Sequence, residues 1–143
     1  MFKVMYMEIE FNEQELRKVL DEIIKEIADK LAETIRRNIT KMGAVASGYM
    51  LRSVYVRKVD DAEYEVGVEA PYSIYVEYGT KPRERMPPVE AIKNWLITKF
   101  RMSEREASKA AWAIAKKIQK EGTEPKPFFR SAIDEVVNKY GGL

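Results

Sequence analysis

The sequence predicts an α+β protein with an N-terminal strand and long helix, an antiparallel β-hairpin sheet, and C-terminal helices packed on that sheet. Three observations support this. Apolar residues recur at spacings of three and four over residues 13–41, β-branched and aromatic residues dominate 49–68, and helical patterns with capping signals follow residue 88. The length of 143 residues predicts a single domain over 1–143.

The N-terminal segment alternates between apolar and polar side chains. Met5, Met7, Ile9 and Phe11 are separated by Tyr6, Glu8 and Glu10. A period of two with one polar face is typical of a half-buried strand.

A long amphipathic helix is predicted from about residue 13 to 41. Asn12 and Glu15 form a capping box at its start, and Gly43 ends it. Its apolar stripe consists of Leu16, Val19, Leu20, Ile23, Ile24, Ile27, Leu31, Ile35 and Ile39. Spacings of three and four place all nine on one face, which we expect to be the buried one.

A β-hairpin is predicted next. Its first strand covers Tyr49 to Val59, Asp60 and Asp61 form the turn, and Tyr64, Val66 and Val68 alternate with glutamates in the second strand. Pro71 then begins a short helical turn that ends at Tyr78, before Gly79.

Residues 79–88, with the sequence GTKPRERMPP, are predicted to form an exposed and mobile contact arm. Three cations (Lys81, Arg83 and Arg85) face a single acid, Glu84, so they cannot all be buried in ion pairs.

Three helices complete the predicted fold. The first begins at Pro88, the second follows a capping box of Ser103 and Glu106 and ends at Gly122, and the third covers Phe128 to about Tyr140. The inward faces are predicted to carry Ile92, Trp95, Leu96 and Phe100; Ala107, Ala110, Ala111, Ile114, Ala115 and Ile118; and Phe129, Ile133, Val136 and Val137.

Composition excludes several kinds of chemistry. The chain has no Cys and no His, which removes disulfides, thiol nucleophiles, Ser-His-Asp triads and the common zinc sites. No apolar run approaches the length of a membrane span and no signal-peptide pattern occurs, so we expect a soluble protein of a reducing compartment with no membrane partner. The abundance of Glu, Lys and Arg over Gln and Asn is typical of a thermophilic source.

The formal net charge of +2 conceals an asymmetry. Residues 1–80 carry 11 basic and 15 acidic side chains, whereas residues 81–143 carry 14 basic and 8 acidic ones. Such polarity suits stacking of the chain against copies of itself or contact with a polyanion, although ordinary solvated helices are the alternative.

Few residues are candidates for catalysis or metal binding. Glu77, beside Tyr75 and Tyr78, could be an acid catalyst, but we favour a structural glutamate that pairs with an Arg or accepts backbone N–H groups. Carboxylates at Asp60, Asp61, Glu63, Glu65 and Glu69 could attract a cation, but an even spacing on a strand favours a solvated sheet face. No nucleotide-binding glycine motif occurs, so no cofactor is expected.

Two further sets of residues could contact partners. The cations Lys81, Arg83, Arg85, Arg101, Lys116, Lys117 and Lys120 could touch phosphates of DNA, without a recognisable groove-reading module. Tyr72, Tyr75 and Tyr78, spaced by three, belong either to the core or to a protein interface.

Three segments together resemble a known family. They are SGYMLRS at 47–53, YSIYVEYGT at 72–80, and PKPFFRSA at 125–132. They look like the neck, or tail-completion, family of lambdoid-type tailed phages, whose members are also called head–tail joining or minor tail proteins. Ser47 and Met50 depart mildly from the Thr and Leu usual in the first motif.

The resemblance implies a structural virion protein without catalysis or cofactor. It implies a homo-oligomeric ring, for which a hexamer is one option, between the connector and the tail tube. The protein would be part of the virion and would be present in the host cytoplasm during assembly. Expected partners are copies of itself, connector or adaptor proteins and the major tail protein. The interface candidates are Tyr72, Tyr75, Glu77, Tyr78, Thr80, Lys81, Arg83, Arg85, Pro127 and Phe128. The alternatives are a nucleic-acid-binding accessory protein that uses the basic C-terminal half and a cell-wall hydrolase that uses Glu77.

Overall fold

Six helices and one β-hairpin make up the part of the chain that the computed structural model describes, residues 5–10 and 12–141. In chain order they are α1 Glu13–Met42, α2 Ser47–Ser53, β1 Val54–Asp60, β2 Glu63–Val68, α3 Ser73–Tyr78, α4 Val89–Phe100, α5 Glu104–Glu121 and α6 Phe128–Tyr140. The predicted α+β class is therefore confirmed. Among the described residues, no helix is both long and apolar enough to span a membrane.

Helix α1 begins and ends where its capping residues predict. The side chain of Asn12 accepts a hydrogen bond from the Glu15 amide at 2.7 Å, and Gly43 ends the helix in a left-handed conformation. Only the C-terminal half of α1 enters the core, through residues such as Ile35 and Ile39. The first four residues of the predicted buried stripe, Leu16, Val19, Leu20 and Ile23, remain 41–45% exposed.

The predicted N-terminal strand is wrong for this subunit. Residues 5–10 adopt no regular secondary structure and every one of them is exposed. Phe11, the last residue of that prediction, lies outside the described residues. A strand needs a neighbouring strand to satisfy its backbone groups, and the sheet within the described residues consists of β1 and β2 alone.

The hairpin begins later than predicted, because residues 47–53 form helix α2. Tyr49, Met50 and Leu51 are consecutive apolar residues, and such a run fits a buried helix as well as a strand. Here the amides of Tyr49 and Met50 both bond the carbonyl of Ala46. The antiparallel ladder then pairs Val54 with Val68 and continues to a turn at Asp61 and Ala62.

The core lies where the C-terminal half of α1 meets α2, α4, α5 and α6. An aromatic cluster borders the core: the ring of half-buried Trp95 lies 6.2 Å from Tyr72 and 5.2 Å from Phe100, in edge-to-face arrangements. Buried alanines on α5, including Ala107 and Ala111, allow α4 to approach closely.

Two details of the predicted packing differ from the structure. The main neighbour of the hairpin is α1, on which α6 also packs, whereas the prediction placed the C-terminal helices on the sheet. The buried face of α6 carries Phe128, Ala132 and Val136, so the predicted inward positions of Ile133 and Val137 are wrong. These two side chains are 37% and 58% exposed. The face that packs on α1 is rotated by about one residue relative to the predicted one.

Candidate assembly interface

Glu77 joins the second and third sequence motifs. Its side chain is only 7% exposed, and its carboxylate accepts hydrogen bonds from the backbone amides of Phe129 (2.9 Å) and Arg130 (3.0 Å). The Nε atom of Arg130 donates to the same carboxylate at 3.0 Å, and its Nη2 donates to the Glu77 carbonyl oxygen at 3.1 Å. The carboxylate therefore has both charge and hydrogen-bond partners, as a buried anion requires.

This contact also explains how α6 begins. Its N-cap residue is Pro127, which makes no side-chain capping bond. The Glu77 carboxylate, 50 positions earlier in the chain, takes over that role, and a negative charge at a helix N-terminus is favourable. The interpretation of Glu77 as a structural glutamate is thus confirmed: it pairs with an arginine and accepts backbone N–H groups.

The tyrosines of α3 divide between the interior and the surface. Tyr72 is fully buried, and its hydroxyl donates to the carbonyl of Ala46 at 2.8 Å. Burial raises the pKa of the Tyr72 hydroxyl far above its ordinary value. Tyr78 is 59% exposed, with the guanidinium of Arg130 4.5 Å from its ring centre. Arg130 therefore fixes an aromatic side chain at the surface while holding Glu77 beneath it.

The loop at 79–88 is exposed in its middle and anchored at both ends. The backbones of Thr80 and Thr123 exchange two hydrogen bonds of 2.8 and 2.9 Å, which tie the loop to the chain after α5. At the other end, Met86 packs against the core and Pro87 is fully buried. The side chains of residues 81–85 are exposed, as the sequence predicts.

Close backbone approach at this bridge requires glycine on both sides. A Cβ atom on Gly79 would lie 2.7 Å from the nitrogen of Pro125, and one on Gly122 would lie 2.7 Å from the carbonyl oxygen of Thr80. Both glycines also have a positive φ, of 77° and 69°. The anchored exposed loop thus depends on two residues without side chains.

The first motif contributes to the same framework. Ser53, fully buried at the end of α2, donates its hydroxyl to the Met50 carbonyl at 2.8 Å and accepts the Ala70 amide at 3.3 Å. Ala70 lies two residues before the second motif. All three motifs therefore hold one another in place.

The ten predicted interface residues fall into three groups. Tyr72, Glu77 and Phe128 are buried inside the subunit, so the structure does not support their predicted place in an interface. Tyr75, Thr80 and Pro127 are half-buried. Tyr78, Lys81, Arg83 and Arg85 are exposed and can contact a partner.

The other predicted sites do not come together. Lys116 and Lys117 line different depressions, one beside Trp112 and the other beside Gly43, and Lys81 lines a third. The hairpin carboxylates mostly have cationic neighbours: Glu65 pairs with Arg57, and Glu69 lies 3.6 Å from Lys99. No group of three or more possible metal ligands occurs among the described residues.

Sequence reasoning did not assign a role to Arg130 or Thr123. Arg130 lies inside the third motif, three positions after Pro127, and its place in that motif is the signal in the sequence that could have marked it. Thr123 follows the glycine that ends α5, and no local pattern marks it as a partner of Thr80.

A protein-family model described as "Bacteriophage HK97-gp10, putative tail-component" matches residues 8–79. The chain belongs to this HK97-gp10-like family of structural phage tail components, which confirms the resemblance seen in the sequence.

The matched region contains the first motif and almost all of the second. The third motif lies outside it and contacts it through Glu77 and Arg130. No curated protein and no solved structure matches the chain significantly.

Proposed function

We propose that this chain is a tail-completion, or head–tail joining, protein that assembles as a homo-oligomeric ring between the connector and the tail tube. Membership of a family of phage tail components is the observation that carries the proposal. In this proposal its partners are copies of itself, connector or adaptor proteins and the major tail protein. The protein acts in the neck of the virion and assembles in the host cytoplasm.

The anchored loop supports a role in assembly. Lys81 and Arg85 are exposed on a segment that is fixed by the Thr80–Thr123 bridge and by buried Pro87, so little backbone conformational entropy is lost when they bind. Exposed Tyr78, at the start of the loop, adds an aromatic side chain of the kind enriched in interfaces. Ring closure needs two different patches that fit each other, and this surface supplies one of them.

The proposal assigns no catalysis to the chain. Its one acid-catalyst candidate, Glu77, is occupied by the α6 amides and by Arg130. A catalytic carboxylate must reach its substrate, and this one faces the interior of the subunit. The cell-wall hydrolase alternative therefore has no free acid at this position.

The test compares two double variants that remove the same charge. The first, Lys81→Gln with Arg85→Gln, neutralises the loop but leaves Arg83, whose backbone is left-handed, unchanged. The control, Lys41→Gln with Lys139→Gln, neutralises two exposed lysines at helix ends. Each is introduced into the full chain and used to complement a phage or prophage that lacks this gene.

We expect the loop variant to lower the yield of tailed particles at least tenfold, as counted by electron microscopy, while the control stays near the unaltered level. Thermal unfolding should show both variants folded. Tailed particles that form at the normal rate without any copy of this protein would overturn the proposed function. Equal yields of tailed particles from both variants would show that the loop cations have no role in the proposed assembly.

The alternative, a nucleic-acid-binding accessory protein, is weakened by the separation of the C-terminal cations. Lys116 lines a depression beside Trp112, whereas Lys81 and Lys117 line two adjoining depressions that share the acidic residues Glu121 and Glu124. Carboxylates beside these lysines oppose the binding of a phosphate backbone. Duplex affinity measured across a salt series distinguishes the two functions. A steep loss of affinity with salt would favour the accessory protein, and no binding at low salt would exclude it.

A further inference from the structure

Residues 5–10 present apolar side chains to solvent, and no other described residue of the subunit covers them. Met5 is 99% exposed, Met7 80% and Ile9 68%. These three alternate with Tyr6, Glu8 and Glu10, so an extended conformation would place them together on one face. The segment therefore has the pattern of a strand but, within the described subunit, lacks a strand to pair with.

The hairpin offers an unpaired edge. Its sheet has two strands among the described residues, so each strand has one side without a backbone partner. All β2 residues from Tyr64 to Val68 are half-buried, whereas all β1 residues from Arg57 to Asp60 are exposed. The outer edge of β1 is thus the accessible one.

The two faces of β1 differ in a way that suits this segment. Lys58 and its cross-strand partner Tyr64 both contact Asp21 of α1. The face of the hairpin that carries these two side chains is therefore directed toward α1. Arg57, one position earlier, lies on the opposite face with its side chain 67% exposed. A strand added at this edge with its methionines facing inward would bring Glu8 and Glu10 beside Arg57, on the side of this cation away from its β2 partner Glu65.

The segment cannot reach the whole of its own β1 edge. Asp21 holds the tip of the hairpin through the Ala62 amide at 3.0 Å, and Glu13 lies about 12 Å further along the α1 axis. The eight positions 5–12 span at most about 26 Å when extended, so the return of about 12 Å to the tip leaves roughly four residues to pair with a β1 strand of seven. A neighbouring copy has no such restriction.

We propose that residues 5–10 of one copy pair as an added strand with the outer edge of β1 in the next copy. This contact rests on the ring proposed above and would supply a matched pair of different patches, the segment on one copy and the β1 edge on the next. Main-chain hydrogen bonds would supply affinity, and the alternation of apolar and acidic side chains would set the register and the face.

Because the chain contains no Cys, engineered cysteines test the contact directly. A full-length chain with Glu8→Cys is mixed with a mass-tagged full-length chain with Arg57→Cys and oxidised. The same mixture is made with Glu10→Cys, to cover both registers, and with Ile9→Cys as the control for the opposite face. We expect the Arg57→Cys chain to form covalent heterodimers with the Glu8→Cys or the Glu10→Cys chain. The mixture with the Ile9→Cys chain should give at least fivefold fewer heterodimers.

A second experiment separates pairing from folding. The double variant Met7→Pro with Glu8→Pro removes amide donors on both sides of an extended segment, and Met7→Thr with Glu8→Thr keeps them. Since these residues are exposed in the subunit, both variants should unfold at the temperature of the native chain. Native mass spectrometry should show oligomers lost in the proline variant and retained in the threonine variant.

The failures of the two proposals are distinguishable. Native oligomers that persist in the proline variant, or cross-links that occur equally at Ile9, would overturn the strand contact and leave the ring standing. A cross-link found only within single chains of a Glu8→Cys, Arg57→Cys double variant would overturn it as well. If neither native oligomers nor cross-links form, both the strand contact and self-assembly without other neck proteins are contradicted.

Discussion

The Oε1 atom of Glu77 lies 3.0 Å from both the backbone nitrogen and the Nε atom of Arg130. One oxygen thus caps a helix and pairs with a cation, and it does so in a site that is almost closed to water. Removal of this side chain would leave buried amides without an acceptor, a loss that usually exceeds the value of the bonds themselves.

We therefore expect Glu77→Ala to lower the free energy of unfolding by about 3 kcal/mol, measured by urea denaturation. Glu77→Gln keeps one carbonyl acceptor and should cost less. Arg130→Ala, which leaves the two backbone donors in place, should also cost less than Glu77→Ala. Equal stability of Glu77→Ala and the native chain would contradict the assigned structural role.

Tyr72→Phe tests the buried hydroxyl. The variant removes the hydroxyl donor to the Ala46 carbonyl, which keeps its bonds from the Tyr49 and Met50 amides, so the free energy of unfolding at neutral pH should fall by about 1 kcal/mol. Tyr72→Leu, which also removes the ring from its contact with Trp95, should cost more.

The same residue predicts a pH dependence. Burial raises the folded-state pKa of Tyr72, so the folded chain retains this proton above the ordinary value of 10.0 while the unfolded chain loses it. The stabilisation is fully present below pH 10 and decreases as the pH rises above it. Alkaline unfolding of Tyr72→Phe should therefore have a shallower pH dependence than that of the native chain. Tyr64 and Lys58, whose pKa values are also raised, remain in both proteins and contribute a residual slope.

Asp21 predicts the opposite dependence. Hydrogen bonding from the Ala62 amide, followed by contacts with Lys58 and Tyr64, lowers its pKa below the ordinary value of 3.8. The folded chain then binds fewer protons than the unfolded one, so the stabilisation is present above pH 3.8 and is lost as the pH falls through the folded-state value. Asp21→Asn should be less stable at pH 7 and should lose less stability on acidification. Identical acid-unfolding curves would contradict this.

The glycine bridge can be tested with an internal control. In Gly122→Ala, the new Cβ atom lies 2.7 Å from backbone atoms and the residue must keep a positive φ. In Gly43→Ala, φ is similar, 66°, but the new Cβ atom has no other atom within 4 Å. Gly43→Ala should cost about 1 kcal/mol and Gly122→Ala clearly more, about 3 kcal/mol, in urea unfolding. Gly79→Ala should resemble Gly122→Ala. Similar losses at Gly43 and Gly122 would contradict the close approach of the two segments.

Local signals made most helix boundaries predictable. Asn12 and Ser103 accept the amide three residues later, and Gly43 and Gly122 end α1 and α5, because capping involves only neighbouring residues. Helix α2 was not predicted, since three consecutive apolar residues carry no period. The buried face of α6 was misplaced because the helix on which it packs, and not its own pattern, selects the face.

The candidate site was predictable in kind but not in its partners. A glutamate beside a helical turn in a chain without His predicts an arginine or backbone partner, yet Arg130 is 53 residues away and only the fold brings it near. Likewise, an amphipathic tyrosine suits both core and interface, so the burial of Tyr72 and the exposure of Tyr78 could not be distinguished from their spacing. The loop cations were predictable because unpaired charges stay in water.

The exposed first turns of α1 link secondary structure to subunit association. Every residue from Glu13 to Leu20 is exposed, so this stretch is held as a helix mainly by its own backbone bonds and the Asn12 cap. Helices without tertiary support are marginal in water, and their amides exchange with solvent readily. The hydrogen-exchange rate of these amides therefore reports, without any substitution in the chain, whether a neighbour covers this end of the subunit.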